Sequence, residues 1–371
     1  MSDQFDKLQL PASAHVRARN IDLGKSLQGK AKIYLDQRWW VHCRQTQFGE
    51  PCTDERRAIC DQLQKLVRDG KAICPAAEPV LSELLKIPTD STRRNMAAVI
   101  DELSLGCSLQ SQAILDRIEL LNVLTRLLKV TTEGYSIQHL VWTRIAWVLG
   151  LHLPTAKGAT PADAETLRVA YFESRGATSM VDLVREWDPV AAAAGKALDD
   201  SAIIESANQD IDRYGSKRPA FDDLFLSQCA VALERLRPAL VDDVAAFLWT
   251  RMKGESAGES PAAFRDLAAD NFIGALRTRY TEAGTAFELP SVQIPAAIIA
   301  AKVSSGHKFK HGDYWDIRHA RFALPYCTHF LTERSLASLV VSNPGNASNL
   351  YQCKVLSDDA AIANELHQIA S

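Results

Sequence analysis

The stretch "GDYWDIRHARFALPYCTHFLTER", residues 312–334, decides the fold of this chain. Asp313 and Asp316 open a segment with helical periodicity, and their spacing of three residues lets both carboxylates share one helix face. The apolar run that follows, "HFL", predicts a short buried strand that ends at Thr332 and Glu333. A helix that begins with acids and a strand that ends with one indicate an α/β unit with carboxylates at one edge.

The beginning of the chain has the same organisation. An apolar burst, "IYL", stops at Asp36 and predicts a first buried strand. Thr53 and Gly70 bound a predicted helix, "AICPA" at 72–76 predicts a second strand, and "EPVLSELLKI" at 78–87 predicts a second helix. The order strand, helix, strand, helix is typical of a parallel sheet with crossover helices.

The middle of the chain differs from both ends. Residues 106–305 show helical periodicity and almost no strand signals, and the alternation of strands and helices returns after residue 306. We therefore predict an α/β domain built from residues 1–105 and 306–371, with an all-helical insertion at 106–305. We assign the insertion to recognition or assembly, through a partner protein or a second copy of the chain. The alternative is a lid that only shields the core.

Ligands of open parallel sheets bind outside the carboxyl ends of the strands, where this sequence has several acids. The candidate catalytic and metal-ligating residues are Asp36, Glu83, Asp313, Asp316 and Glu333. Clustered carboxylates repel one another unless a cation or a raised pKa resolves the repulsion, and Mg²⁺ prefers oxygen ligands. We expect Mg²⁺ or Mn²⁺ here. The alternative for each acid taken alone is an N-cap, a solvated helix residue or a loop charge.

The formal net charge of −3 argues against a protein that binds nucleic acid over its whole surface. A nucleic-acid partner would be held locally, and the candidate contacts are Lys308 and Lys310 in "HKFKH" and Arg93 and Arg94 in "DSTRRNM". Phe309 is a candidate for stacking on a base. The alternatives are a solvated loop and an ordinary first helical turn. Trp39 and Trp40 follow a buried strand, so we predict that they pack in the core.

The sequence predicts a cytoplasmic protein that does not enter a membrane. Its first residues are polar, and no apolar run approaches the roughly 18 residues of a membrane helix. The eight cysteines form no CxxC pair and no zinc spacing, so we interpret them as reduced thiols.

Three segments together resemble the PIN-like nuclease superfamily: "IYLDQRWW", "AICPAAEPVLSELL" and "GDYWDIRHARFALPYCTHFLTER". The resemblance covers roughly residues 30–105 and 306–371. It implies a Rossmann-like three-layer fold and metal-dependent cleavage of RNA, single-stranded RNA above all. It also implies an acid quartet of Asp36, Glu83, Asp313 or Asp316, and Glu333. The sequence departs from the family pattern at Arg38, where Asn is common, at Thr328, where Asp is frequent, and at Glu333, where Asp is usual.

Three functions follow from these patterns. The first is an endoribonuclease that hydrolyses phosphodiester bonds with Mg²⁺ or Mn²⁺, as a toxin or defence effector. The second is a catalytically weakened PIN-like scaffold or nucleic-acid-binding protein, which Arg38 and Glu333 favour. The third is a phosphatase-like enzyme with Asp36 as nucleophile. That chemistry wants a second acid two residues later, where the sequence has Arg38, so we rank it last.

Overall fold

The computed structural model describes residues 14–127, 137–155, 158–186, 201–215, 217–254, 258–283, 289–310, 312–341 and 347–371. The strands in these ranges are β1 (Ala31–Leu35), β2 (Ala72–Ile73), β3 (Cys107–Leu109), β4 (Trp142–Arg144), β5 (His329–Leu331) and β6 (Lys354–Leu356). Within the same ranges, no helix has both the length and the apolar character that crossing a membrane requires.

Helices account for most of the remaining described chain. They are α1 (Ala14–Ser26), α2 (Gln37–Gln47), α3 (Asp54–Arg68), α4 (Glu78–Lys86), α5 (Asp90–Ser104), α6 (Gln112–Leu127), α7 (Pro161–Gly176), α8 (Ser201–Tyr214), α9 (Phe221–Arg235), α10 (Ala245–Lys253), α11 (Ala262–Ala283), α12 (Pro290–Ser305), α13 (Asp313–Ala323), α14 (Arg334–Val341), α15 (Ala347–Tyr351) and α16 (Asp359–Ala370). Short helical turns lie at Ile137–His139, Ile145–Trp147, Arg237–Ala239 and Leu240–Val244.

The centre of the fold is a four-stranded parallel sheet in the order β2-β1-β5-β6. Strand β1 pairs with β5 in a register that sets Ile33 opposite His329 and Leu35 opposite Leu331. The sheet therefore joins the beginning of the chain to its end, which confirms the predicted mixed α/β unit with parallel strands.

The central strand β1 is covered on both faces. Ile33, Tyr34 and Leu35 are each 0% exposed, and successive residues of a strand point to opposite faces. Such double coverage is the normal environment of parallel strands, and it explains why the sequence signal of β1 is a continuous apolar run. Trp39 and Trp40 are buried in the same core, as predicted.

The middle of the chain contains two strands that the sequence did not predict. Strands β3 and β4 pair antiparallel, and a parallel bridge between Ala76 and Ser108 attaches β3 next to the segment that follows β2. The expectation of an insertion without strands is corrected at these two positions. Each strand has three residues, which is too short for an alternating pattern to be recognised.

The described residues form two large hydrophobic cores. The first surrounds the sheet and includes Leu109, Leu115 and Trp142 from the middle of the chain. The second lies among α6, α9, α11 and α12. Helix α12 contributes to both cores, with Ile294 and Ile298 in the first and Val292 and Val303 in the second. The domain limits at residues 105 and 306 stay a prediction, but Cys107, Leu109, Leu115, Trp142 and Leu183, which the prediction assigns to the insertion, pack in the core of the sheet.

Candidate functional site

The two central strands deliver acids to the same edge of the sheet. Asp36 directly follows β1, and Glu333 follows β5 with Thr332 between them; the backbone N–H of Asp36 donates to the carbonyl of Leu331 at 3.1 Å. Helix α13 adds Asp316, whose pKa is raised by burial first and then by charges that include those of Glu333 and Asp36. Asp36, Asp316 and Glu333 therefore lie close enough together to interact electrostatically. From β1 the chain continues to β2 on one side of the sheet and later to β5 on the other side. The gap between β1 and β5 at this edge is the usual ligand crevice of an open parallel sheet.

Asp36 is the most deeply buried acid of the cluster, with 7% of its surface exposed. Its Oδ1 accepts from the backbone N–H of Trp39 at 3.1 Å, so the side chain also caps the N-terminus of α2. Burial raises the pKa of Asp36, and Glu83 raises it further, while His319, the Thr332 hydroxyl and the Trp39 N–H oppose this. Asp36 therefore caps α2, the alternative considered for a single acid, and its pKa also responds to the nearby charges of Glu83 and His319.

Asp316 is the acid of the cluster whose carboxylate has no hydrogen-bond or ion-pair partner among the described residues. Burial, followed by the charges of Glu333, Asp313 and Asp36, raises the pKa of Asp316 to about 7, although His319 acts in the opposite direction. A carboxylate in this position is stabilised either by a proton or by an added cation.

His319 lies among these carboxylates. It is 2% exposed, its Nε2 is 2.7 Å from Glu83 Oε2, and its Nδ1 is 2.9 Å from the hydroxyl of Tyr34. Burial alone would lower the pKa of His319, but Glu83, Asp36 and Asp316 together raise it. From the sequence alone, His319 in "IRHAR" is a buried polar residue of the helix, with a catalytic base as the alternative; its burial confirms the former, and its place among the carboxylates was not predicted. The available signal was its spacing of three residues from Asp316 on α13.

The remaining predicted acids have partners. Glu83 on α4 is held by His319. Asp313 forms a buried ion pair with Lys302 of α12 and accepts from the backbone N–H of Lys310 at 2.6 Å. Glu333 is exposed and accepts from the Ser335 hydroxyl. Helix α12, which lies in the predicted insertion, therefore supplies a cation to the acid cluster, and nothing in the sequence indicated this.

The predicted phosphate contacts at Arg93 and Arg94 have partners in the fold. Arg93 is 8% exposed and donates from Nη1 to the carbonyl of Ile87 at 2.6 Å. Arg94 pairs with Asp90 one turn earlier on α5. Arg93 therefore supports the start of α5, and a phosphate would have to compete with these contacts.

The segment before α13 is only partly a solvated loop. Lys308 is exposed and pairs with Asp212 at 3.0 Å, and Lys310 is exposed. Phe309 is 8% exposed and belongs to the second core, and Asn208 bonds its backbone N–H at 2.7 Å and its carbonyl at 3.0 Å. The prediction that Phe309 presents a free face to a base is corrected by this burial.

Two other cations near the acids were not proposed as phosphate contacts from the sequence. Lys86 lies one turn after Glu83 on α4, with its Nζ 4.0 Å from the centre of the Trp315 ring. Arg38 follows Asp36 by two residues, and its only close polar contact among the described residues is His42 at 3.4 Å. Neither side chain forms an ion pair with a carboxylate of the described chain, so each has charge available for a phosphate.

The arrangement does not by itself form a finished metal site. Among the described residues, no three His, Cys, Asp or Glu side chains are arranged closely enough to coordinate an ion. The oxygen ligands that Mg²⁺ or Mn²⁺ prefers are nevertheless present, and Asp316 lacks a partner. Coordination would require side-chain rotation that draws Asp316 and Glu333 toward Asp36.

Comparisons of this chain with models of protein families, with the sequences of curated proteins and with solved structures found no match. Its function is therefore inferred from its own residues.

Proposed function

We propose that this protein is a metal-dependent endoribonuclease on a PIN-like, Rossmann-like α/β fold. The observation that carries the proposal is the placement of Asp36, Asp316 and Glu333 within electrostatic range at the carboxyl ends of the two central parallel strands. Burial raises the pKa of both Asp36 and Asp316, and neighbouring carboxylates raise each pKa further, which indicates negative charge that lacks a sufficient counter-charge. Perturbed carboxylates in a crevice are typical of catalytic sites.

The donor chemistry fits a hard divalent cation, held by Asp36, Asp316 and Glu333. When bound, such an ion lowers the pKa of a water and neutralises charge on the phosphodiester. Glu83 and Asp313 would act from further out, because His319 and Lys302 already occupy their carboxylates. His319 keeps the Glu83 carboxylate oriented toward the cluster, as partners of ligating groups commonly do.

The chain's own cations would bind the RNA backbone beside the acids. Lys86 and Arg38 are the best candidates, because neither is paired with a carboxylate of the described chain. Exposed Lys310 is a further candidate. Lysine and arginine hold phosphate oxygens through charge-assisted hydrogen bonds, which fix the scissile bond against the carboxylates.

Cleavage of labelled single-stranded RNA in Mn²⁺ tests the proposal. The expected result is cleavage that EDTA abolishes and that Asp36→Asn reduces by at least about 100-fold, because one ligand charge is lost. The matched control is Asp266→Asn, the same change on an exposed face of α11, which should leave the rate unaltered. Equal rates for the Asp36→Asn variant and the parent would assign the cleavage to another site or a contaminant.

The second candidate is a scaffold on a weakened nuclease fold. The observation that favours it is His319, whose positive form would supply among Glu83, Asp36 and Asp316 the charge that a metal supplies elsewhere. The scaffold alternative predicts that calorimetry detects RNA binding and no Mn²⁺ binding. Cleavage in Mn²⁺ excludes it.

A further inference from the structure

A large groove opens between the helical part of the molecule and α13. It has a volume of about 720 Å³ and lies against α8, α9, α12 and α13. We call it the interhelical groove. Helix α13 presents Asp313, Asp316 and His319 along one side, while Tyr314 and Arg318 line the groove on the other. The groove and the acid cluster are therefore two sides of the same helix.

The charge of the interhelical groove is one-sided. Its lining contains Arg235, Arg318 and Arg321, and no carboxylate from the part of the chain that the structure describes. Glu78 pairs with Arg318 and Asp116 pairs with Arg321, so both guanidinium groups are held in place. Arg235 is exposed and forms no ion pair with any residue in the described ranges. The groove thus offers a free cation to an anionic group.

The walls of the interhelical groove are mostly apolar and include two tyrosines. Tyr214 and Val231 are 38% and 46% exposed at its rim, and Tyr314 lies half-buried within it. Apolar surface with aromatic rings accepts planar bases without regard to their sequence. Arg235, which is not ion-paired with any described residue, can bind two phosphate oxygens in a bidentate manner.

The size of the groove restricts its ligand. A volume of about 720 Å³ lies within the roughly 300–1,000 Å³ range of small-molecule sites. A stable complex with a folded protein partner buries about 800 Å² of surface on each partner, which is more than a groove of this size provides. We propose that the interhelical groove binds one nucleotide unit, with the base against the tyrosine and apolar walls and the phosphate on Arg235.

This inference rests on the proposed function for the source of the nucleotide, which would be the part of an RNA strand that flanks the cut. The same chemistry could be satisfied by a free mononucleotide. The two sources can be distinguished by competition with labelled RNA. A free nucleotide would bind the groove alone, whereas a strand would bind more tightly because it contacts both sides of α13.

The experiment measures fluorescence anisotropy of a labelled ten-nucleotide RNA in EDTA, so that cleavage cannot interfere. Arg235→Glu should weaken binding by at least about fivefold, because the free cation becomes an anion. The control is Arg251→Glu, the same charge change on exposed α10 outside the groove, which should alter binding by less than about twofold. Photo-crosslinking of 4-thiouridine RNA should label the peptides that contain Tyr214 or Tyr314.

Adenosine monophosphate serves as the competitor. Displacement of RNA by millimolar mononucleotide supports a free nucleotide as the source, and displacement only by unlabelled strand supports RNA. Equal losses for Arg235→Glu and Arg251→Glu, crosslinks elsewhere, or no binding of either probe would overturn the groove assignment. Normal binding at the groove without cleavage in Mn²⁺ would refute the proposed function and leave the groove intact.

Discussion

Asp316 and Glu83 are both carboxylates at the acid cluster, but their neighbours differ and so do the roles we infer for them. Both carboxylates face the acid cluster, but Glu83 is bonded to His319, while Asp316 has no partner among the described residues. Asp316 consequently has a pKa raised to about 7, by burial first and by Glu333, Asp313 and Asp36 in addition. Near neutral pH, Asp316 is therefore close to half protonated, and a metal ion that binds its carboxylate would displace the proton.

The raised pKa of Asp316 predicts that the free energy of unfolding of the metal-free protein decreases as the pH rises. The folded state binds the proton more tightly than the unfolded chain, whose ordinary value is 3.8. The stability from Asp316 is therefore greatest below about pH 4 and is lost as pH rises to about 7. In EDTA, Asp316→Asn should be more stable than the parent by about 1 kcal/mol or more at pH 8 and nearly equal at pH 4.

Urea denaturation at the two pH values checks this, with Asp266→Asn as the control for removal of an exposed charge. An advantage of the Asp316→Asn variant that is the same at pH 4 and pH 8 would show that Asp316 is not destabilised by its charged neighbours.

At the scale of elements, the strands and helices that carry the site could be predicted because each has a strong local signal. Strand β1 is an apolar run that ends in Asp36, and α13 begins with two acids. The carboxyl ends of parallel strands necessarily meet at one edge, so the neighbourhood of Asp36 and Glu333 followed from the topology. Strands β3 and β4 could not be found, because pairing between distant three-residue segments leaves no periodic pattern.

The contacts that modify the acids could not be predicted, because they join side chains of different helices. His319 reaches Glu83 across 236 residues, and Lys302 reaches Asp313 from a helix of the second core. Local propensity contains no information about such pairs. The sequence therefore identified the acids but not which of them are free.

The ion pair between Lys302 and Asp313 joins α12 to the start of α13. Their side chains are 9% and 15% exposed, so Lys302→Met should leave Asp313 buried without its partner and lower the free energy of unfolding by about 3 kcal/mol. Removing both charges, with Asp313→Asn added, should recover most of the loss. Urea denaturation of the parent, the two single variants and the double variant measures the coupling. Additive losses would mean that the pair does not stabilise the contact between these helices.

At the scale of the whole molecule, the two cores depend on each other. Helix α12 packs Ile294 and Ile298 into the sheet's core and Val292 and Val303 into the helical core. Residues of the middle segment, including Leu109, Leu115 and Trp142, are at most 2% exposed within the first core. The middle of the chain is thus part of the sheet's support as well as a separate bundle.

Deletion of residues 106–305 with a short bridge should therefore give a protein that does not fold. The sheet's core would lose several fully buried apolar side chains, each worth about 2–5 kcal/mol, against a total stability of about 5–15 kcal/mol. Solubility and a cooperative thermal transition by circular dichroism are the measurements. A soluble, cooperatively folding product would show that residues 1–105 and 306–371 form an independent domain.

We propose above all that a divalent cation binds where the two central strands end. X-ray diffraction from crystals soaked in Mn²⁺, recorded at the manganese absorption edge, tests it most directly. We expect an anomalous peak roughly 2.1 Å from carboxylate oxygens of Asp36, Asp316 and Glu333, with Asp316 rotated toward Asp36. A fully occupied Mn²⁺ elsewhere, or none, with His319 still between Glu83 and the other acids, would contradict it.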